Sequence, residues 1–171
     1  MTLLVGTASW TDKTLLESGR FYPESAKSPE ARLRFYASQF NLVEVDTSYY
    51  AIPSVTTAQH WAERTPPGFV FNVKAFSLFT GQWTSTDVLP KDIKQALGAG
   101  RRMVYKDMAE ELREELWRRF AACLVPLRAN SKLGLVHFQF APKVFRHKAA
   151  IEHLEHLPGH TLSIEFRNPS W

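Results

Sequence analysis

Cysteine is nearly absent: Cys123 is the only one among 171 residues, so no internal disulfide can hold the fold together. It sits in an amphipathic helical pattern, where a lone thiol reads as packing, and the reducing cytoplasm is the expected location. The first residues carry no basic stretch leading into a long apolar run, so no signal peptide is expected. No segment is apolar for long enough to span a bilayer, and no membrane partner is expected. Low-complexity tracts are missing, as are repeats beyond a β/α alternation. No spacing of His, Cys, Asp or Glu matches a metal-ligand motif, so no metal is assigned, and no pattern names a cofactor. No serine has a base at a spacing that identifies a nucleophile.

Apolar residues make up 44% of the chain and charged residues 22%, which is the composition of a globular domain with a real core. One pattern recurs four times: Val43-Glu44-Val45-Asp46, Phe71-Asn72-Val73-Lys74, Val136-His137-Phe138-Gln139 and Ile164-Glu165-Phe166-Arg167 each alternate apolar with polar. Residues two apart share a face of a strand, so each segment has one apolar face and one polar face.

Candidate strands cover 3–6 (short and buried), 42–47, 69–74, 133–140 and 162–167. Ser28-Pro29-Glu30 opens a helix, with Ser as cap and Pro in its first turn, and Leu33, Tyr36, Ala37 and Phe40 mark its apolar face. Ser54 caps a second helix, with Val55, Ala58, Trp61 and Ala62 facing inward, before Thr65-Pro66-Pro67-Gly68 stops it. A long helical excursion, 75–132, separates the third and fourth candidate strands. It is loop-like to residue 86 and reads as a short helix over 87–96. Asp107 and Glu110 then suggest a capping box. Met108, Leu112, Leu116, Phe120 and Leu124 step by four along a helix that Pro126 is expected to end. Glu114–Arg118 and Glu115–Arg119 are spaced as i,i+4 ion pairs. Residues 143–157 read as a helix stopped by Pro158-Gly159.

Strands separated by helices predict a parallel sheet. Central strands of a doubly wound sheet tend to be apolar on both faces, whereas here one face is polar. That favours a TIM-type (β/α) barrel, an α/β fold, with polar groups gathered near the C-terminal ends of its strands. Residues 1–171 then form a single partial barrel domain of five β/α units. A complete barrel takes about 250 residues, so about three units are expected to be missing. Sheets left open at both edges invite self-association.

Several of these pieces together resemble one family. They are Val5-Gly6-Thr7-Ala8-Ser9-Trp10, Phe21-Tyr22-Pro23, the run from Tyr36 through Tyr50, Trp61 with Arg64-Thr65-Pro66-Pro67-Gly68-Phe69, Val73-Lys74-Ala75, Phe138-Gln139-Phe140 and Glu165-Phe166-Arg167-Asn168-Pro169-Ser170-Trp171. In order and number they are similar to the N-terminal portion of the domain-of-unknown-function 72 family, the YecE-like proteins. The resemblance implies a TIM-barrel fold and an activity not yet established. The chain departs from the family pattern at Ala141-Pro142, where two prolines are usual, and at Thr80-Gly81, where Thr-His is common. The family's C-terminal Arg-x-His-Gly-like and Asn-Asn-like motifs are absent.

The candidate site is the polar strand face. Glu44, Asp46, Lys74 and Glu165 are the candidate catalytic residues, as acid/base groups. Thr7, Ser9, Trp10, Tyr49, Gln139, Arg167 and Trp171 are the candidate ligand-binding residues, with Tyr50 a further aromatic at the mouth. Lys74 and Arg167 suit an anionic or sugar-like small molecule. The same charges could instead neutralise one another as a structural network. A divalent ion held by Glu44, Asp46, Glu165 and His137 is a further arrangement, opposed by the two cations that compete for the carboxylates. His153, His156 and His160 read as a solvated helix end rather than a metal site. The chain carries a net charge of +4, and residues 91–132 hold ten Lys/Arg against six Asp/Glu. A nucleic-acid partner through that segment is the rival reading, weakened by charges already paired along the helix.

Overall fold

The computed structural model describes the backbone of residues 3–171 and the side chains of all of these except 149, 150 and 153. Its strands are β1 (Leu42–Val45), β2 (Val70–Lys74), β3 (Trp83–Ser85), β4 (Arg102–Val104), β5 (Leu133–Gln139) and β6 (Leu162–Glu165). Its helices are α1 (Lys13–Glu17), α2 (Pro29–Gln39), α3 (Val55–Glu63), α4 (Lys91–Leu97), α5 (Glu110–Ala129) and α6 (Lys148–Glu152). β1, β2, β5 and β6 form one parallel sheet in that order, and β3 and β4 make a separate antiparallel hairpin. The strands of the parallel sheet thus lie side by side in chain order, without the reversal that marks a doubly wound sheet.

Alternation sorts the side chains. Val43, Val45, Phe71, Val73, Val136 and Phe138 are buried. They pack with Leu33 and Tyr36 of α2, Ala58 and Trp61 of α3, and Leu116, Trp117, Phe120 and Leu124 of α5. Each large apolar side chain buried in this way stabilises the fold by about 1.5–3 kcal/mol. Both serine caps form: Ser28 Oγ accepts from Ala31 N at 3.0 Å, and Ser54 Oγ accepts from Thr57 N at 3.0 Å.

Several local expectations are corrected. Residues 3–6 are not a buried strand, for Leu3, Leu4 and Val5 are 73%, 42% and 50% exposed. The segment is held along β1 by Asn41, which accepts from Val5 N and donates to Leu3 O, and it reaches a single parallel bridge at Ala8–Glu44. Gly6 permits this approach, since a Cβ there would stand 1.9 Å from Leu42 O. Val55 is exposed rather than inward-facing. The loop-like stretch contains a 3₁₀ turn, Ser77–Thr80, and β3, which pairs with β4 from beyond α4. The capping box does not form. Asp107 closes a 3₁₀ turn, and α5 begins three residues later, at Glu110 behind Ala109, with no side-chain cap. Pro126 does not end α5 but lies within its last turn, where its ring forfeits one hydrogen bond while buried Leu124 and Leu127 keep the helix packed. The expected helix over 143–157 is α6 followed by a 3₁₀ turn, His153–His156.

Two devices hold β5 in place. Between the pairs Phe71–Leu133 and Val73–Val136, β5 carries one more residue than β2. Asn72 Oδ1 accepts from Leu135 N across this irregularity at 3.1 Å, and a Cβ on Gly134 would stand 2.4 Å from that oxygen. Just ahead of β5, Lys132 is 6% exposed, and its Nζ donates to Ala62 O and Thr65 O at 2.5 Å each and to Thr65 Oγ1 at 3.1 Å. These acceptors lie at the C-terminal end of α3, where carbonyls lack helical partners. Burial pulls the Lys132 ammonium below the usual lysine range.

Candidate functional site

The polar face of the sheet carries Glu44 beside Asn72, Lys74 beside His137, His137 in turn beside Ser163, and Gln139 beside Glu165. β1 ends at Val45, and Asp46 opens a 3₁₀ turn, Asp46–Tyr49, beyond the strand. The buried Ser48 Oγ lies 2.6 Å from both Val45 O and Lys74 O, fixing that turn against the end of β2.

The centre of the face is an ion pair. Lys74 Nζ donates to Asp46 Oδ1 at 2.9 Å, with side-chain exposures of 15% and 30%. The Tyr49 ring lies against the same ammonium, 5.1 Å from its centre. Burial pulls the Lys74 pKa down, but the Asp46 hydrogen bond and the charges of Asp46 and Glu44 outweigh it, and the net shift is upward. Lys74 is therefore a protonated donor at neutral pH rather than a base. Burial chiefly raises the Tyr49 phenol, opposed by Lys74 and Arg167.

A second group lies across β5 and β6. Gln139 Nε2 donates to Glu165 Oε2 at 2.7 Å, and Arg167 Nε is 3.5 Å from Glu165 Oε1. His137 Nε2 is 3.9 Å from Glu165 Oε2, and its Nδ1 is 3.2 Å from Ser163 Oγ. Hydroxyl, imidazole and carboxylate thus follow one another on adjacent strands. Ser163 went unnoticed in the sequence, although it stands two residues before Glu165 and so shares its face. In the sequence Asn72 is only part of the alternation, and its role at the β5 irregularity depends on pairing that no single strand reveals.

Other candidates lie elsewhere. Thr7 Oγ1 is bound up with Tyr36 OH at 2.9 Å and donates to Ser9 O at 2.9 Å, on the helix side of the sheet. Trp10 is buried edge-on against Trp61 and Phe71, at 5.5 and 6.5 Å between ring centres, inside the core. Trp171 stacks on Phe166 and Phe140 and donates its Nε1 to Val144 O at 2.9 Å. Ser9 Oγ accepts from Thr11 N at 3.0 Å, at a residue with φ of 80°. Tyr50 is exposed and meets Tyr49 edge-on. These placements leave Glu44, Asp46, Lys74, Tyr49, Gln139, Glu165 and Arg167 as the group gathered at the strand ends.

Among the described residues, no three of His, Cys, Asp and Glu are placed to hold a metal ion. His156 stacks on Trp117 with ring centres 4.6 Å apart, and His160 Nδ1 is 3.3 Å from Pro158 O. The side chain of His153 lies outside the described residues. In the basic segment, Arg119 donates to Asp92 and to Glu115, and Arg118 turns to Glu115 through two bonds of 2.6 and 2.7 Å instead of pairing with Glu114. Hydrogen bonds from Arg118 and then Arg119 hold the Glu115 carboxyl down at about 2. Burial pushes the Cys123 thiol up to about 12, so it is an inert packing group. Among the described residues, no helix is long and apolar enough to cross a membrane.

Comparison with known proteins agrees with this fold. The UPF0759 protein YunF of Bacillus subtilis (strain 168) is 30% identical over 173 residues, covering 99% of this chain and 52% of its own length. Two crystal structures of a DUF72 family protein from Enterococcus faecalis V583 match with TM-scores of 0.69 and 0.60 at 25% and 28% identity. They cover 99% and 81% of this chain, and 52% and 49% of their own. A DUF72 family protein from Thermotoga maritima MSB8 matches in fold with a TM-score of 0.65 at 23% identity, over 100% of this chain and 58% of its own. The chain thus spans about half the length of the curated relative it matches. The family model described as "Protein of unknown function DUF72" matches residues 4–171, and the chain belongs to that family.

Proposed function

We propose that the polar face of the parallel sheet is the wall of a small-molecule site in a TIM-type barrel, at the C-terminal ends of its strands. The observation that carries this reading is the half-buried Lys74–Asp46 pair at 2.9 Å, with Tyr49 lying beside it. In barrels of this type, ligands and chemistry sit at that end. Lys74 and Arg167 bind the anionic part of a polar, sugar-like ligand, and Tyr49 lies along its ring. Glu165, flanked by His137 and Gln139, is the acid/base group, and Asp46 keeps Lys74 charged and oriented.

The test is an NMR titration with glucuronate, an anionic sugar, against glucose. Glucuronate is expected to shift the Gln139 side-chain amide. Lys74→Met and Arg167→Gln are each expected to weaken binding about tenfold, equivalent to 1.4 kcal/mol. Shifts that fail to reach Gln139, or that survive both substitutions, would sink the reading.

A second reading is a charge network that only holds the sheet. It is favoured by the pairing of Lys74 with Asp46 and of Glu165 with Gln139 and Arg167. Under it, Glu44→Gln with Lys74→Met lowers stability and leaves every ligand response unchanged. A nucleic-acid role for residues 91–132 is weaker, because Arg118 and Arg119 are already engaged by Glu115 and Asp92. Binding of DNA or RNA that disappears in Arg118→Ala/Arg119→Ala would revive it. The outer edge of β6 is open, so we expect self-association, and a clean monomer by light scattering would count against it.

A further inference from the structure

The pairing of β5 with β6 does what no spacing in the sequence could: it puts a base within reach of a serine. His137 is in register with Ser163, and Ser163 Oγ lies 3.2 Å from His137 Nδ1. The other ring nitrogen, Nε2, is 3.9 Å from Glu165 Oε2. That carboxylate is itself held, since its Oε2 accepts from Gln139 Nε2 at 2.7 Å and Arg167 Nε is 3.5 Å from its Oε1. Ser163 is half-buried, and the His137 and Glu165 side chains are 18% and 43% exposed, so none of the three is sealed from a small molecule on the polar face.

A serine hydroxyl is a weak nucleophile until a base takes its proton, and the diagnostic arrangement is a hydroxyl, its base and a third group that orients the base. The Glu165 carboxylate favours a proton on Nε2, which leaves Nδ1 to accept from the Ser163 hydroxyl. When Nδ1 takes that proton the imidazole becomes a cation, and at 3.9 Å the carboxylate stabilises it by charge alone. Lys74, in register with His137 on β2, adds a cation on the same face for charge developing on a carbonyl oxygen. A cross-strand hydrogen bond that only holds β6 in place would need neither the carboxylate nor the cation. We propose that Ser163 is the nucleophile of an esterase acting on small polar carboxylic esters, with His137 as its general base. This activity presupposes the small-molecule site proposed above, and the acid/base role of Glu165 is exercised through His137. Ser163 Oγ bonds to the ester carbonyl carbon as its proton passes to His137 Nδ1. The carbon–oxygen bond to the alcohol breaks, and the alcohol leaves with the proton from His137. Water then attacks the acyl-serine by the same route, which releases the acid and restores Ser163.

The test is labelling of the whole chain with a small alkyl fluorophosphonate, which gives up fluoride to an activated serine, with the adduct located by peptide mass spectrometry. An adduct on Ser163 is expected to form, at a rate that saturates with probe. His137→Gln is expected to slow it at least about a hundredfold. Glu165→Gln is expected to lower the limiting rate about tenfold without changing the half-saturating concentration, a split that looser packing alone would not give. Ser38→Ala, at an exposed position on α2, is expected to leave labelling unchanged. Absence of an adduct on Ser163 in the unsubstituted protein would overturn the proposal, a result that needs no variant to fold. So would an adduct that forms as fast in a His137→Gln protein with an otherwise unchanged amide spectrum. Glucuronate shifts at Gln139 without Ser163 labelling would refute the nucleophile and keep the site. Labelling without any glucuronate shift would keep the nucleophile and remove the sugar.

Discussion

The two ends of the parallel sheet each carry a shielded lysine, and the two are served differently. Lys132, ahead of β5, gives its three hydrogen bonds to main-chain carbonyls and a hydroxyl of the α3 terminus, with no carboxylate among them. Lys74, at the end of β2, gives one bond to Asp46 and lies open enough to exchange it. An ammonium enclosed by carbonyls is committed to holding elements together. One held by a single, partly exposed carboxylate can trade that partner for a ligand. Under the proposed function, the contrast matches the division of labour in TIM barrels, where the N-terminal ends of the strands serve stability and the C-terminal ends serve chemistry.

The sharpest way to break this comparison is Lys132→Met. It leaves Ala62 O, Thr65 O and Thr65 Oγ1 without their shared donor. A loss of about 2–3 kcal/mol is expected, read as a lowered urea midpoint with an unchanged slope. A loss below about 1 kcal/mol would show that the α3 terminus does not depend on this lysine. Lys74→Met is expected to be milder, at about 1 kcal/mol, because its partner Asp46 retains access to water.

The pH dependence separates the two lysines by sign. Lys74 has a raised pKa in the folded state, so its contribution is complete below the ordinary lysine value of 10.5 and fades as pH rises through the higher folded value. Lys132 has a lowered one, so the unfolded chain binds the extra proton between its folded value and 10.5, and stability rises with pH across that window. Alkaline denaturation midpoints should therefore lose part of their decline in Lys74→Met and part of their opposing rise in Lys132→Met. The smallest effect belongs to Arg118→Ala on the surface of α5, which is expected to leave the urea midpoint unchanged within error.

The sheet was legible because its evidence is periodic: Val43, Val45, Phe71 and Val73 announce one face whatever surrounds them. Lys74 and Asp46 were legible for the same reason. The two tryptophan candidates were not, because a position just past a strand does not say to which side the chain then turns. Trp10 went into the core and Trp171 onto Phe166. The β3–β4 hairpin escaped because each strand has only three residues, too few to show a period. Arg118 had glutamates at both three and four residues' distance, and the preference for Glu115 is a matter of rotamer and of the neighbouring Arg119, not of spacing.

The extra residue in β5 has a consequence for parity. Leu133, like Phe71, is odd-numbered and pairs with it, yet from Val136 onward it is the even-numbered residues of β5 that share the apolar side with Val73. The insertion at Gly134 and Leu135 therefore exchanges the two faces partway along the strand, and Asn72 secures the exchange with its side-chain oxygen. Without it, Phe138 would point to the polar face and His137 and Gln139 into the core. The presence of an imidazole and an amide on the polar face thus depends on one residue's worth of chain length. Deleting Gly134 should turn the upper half of β5 inside out while leaving every polar-face side chain in the sequence.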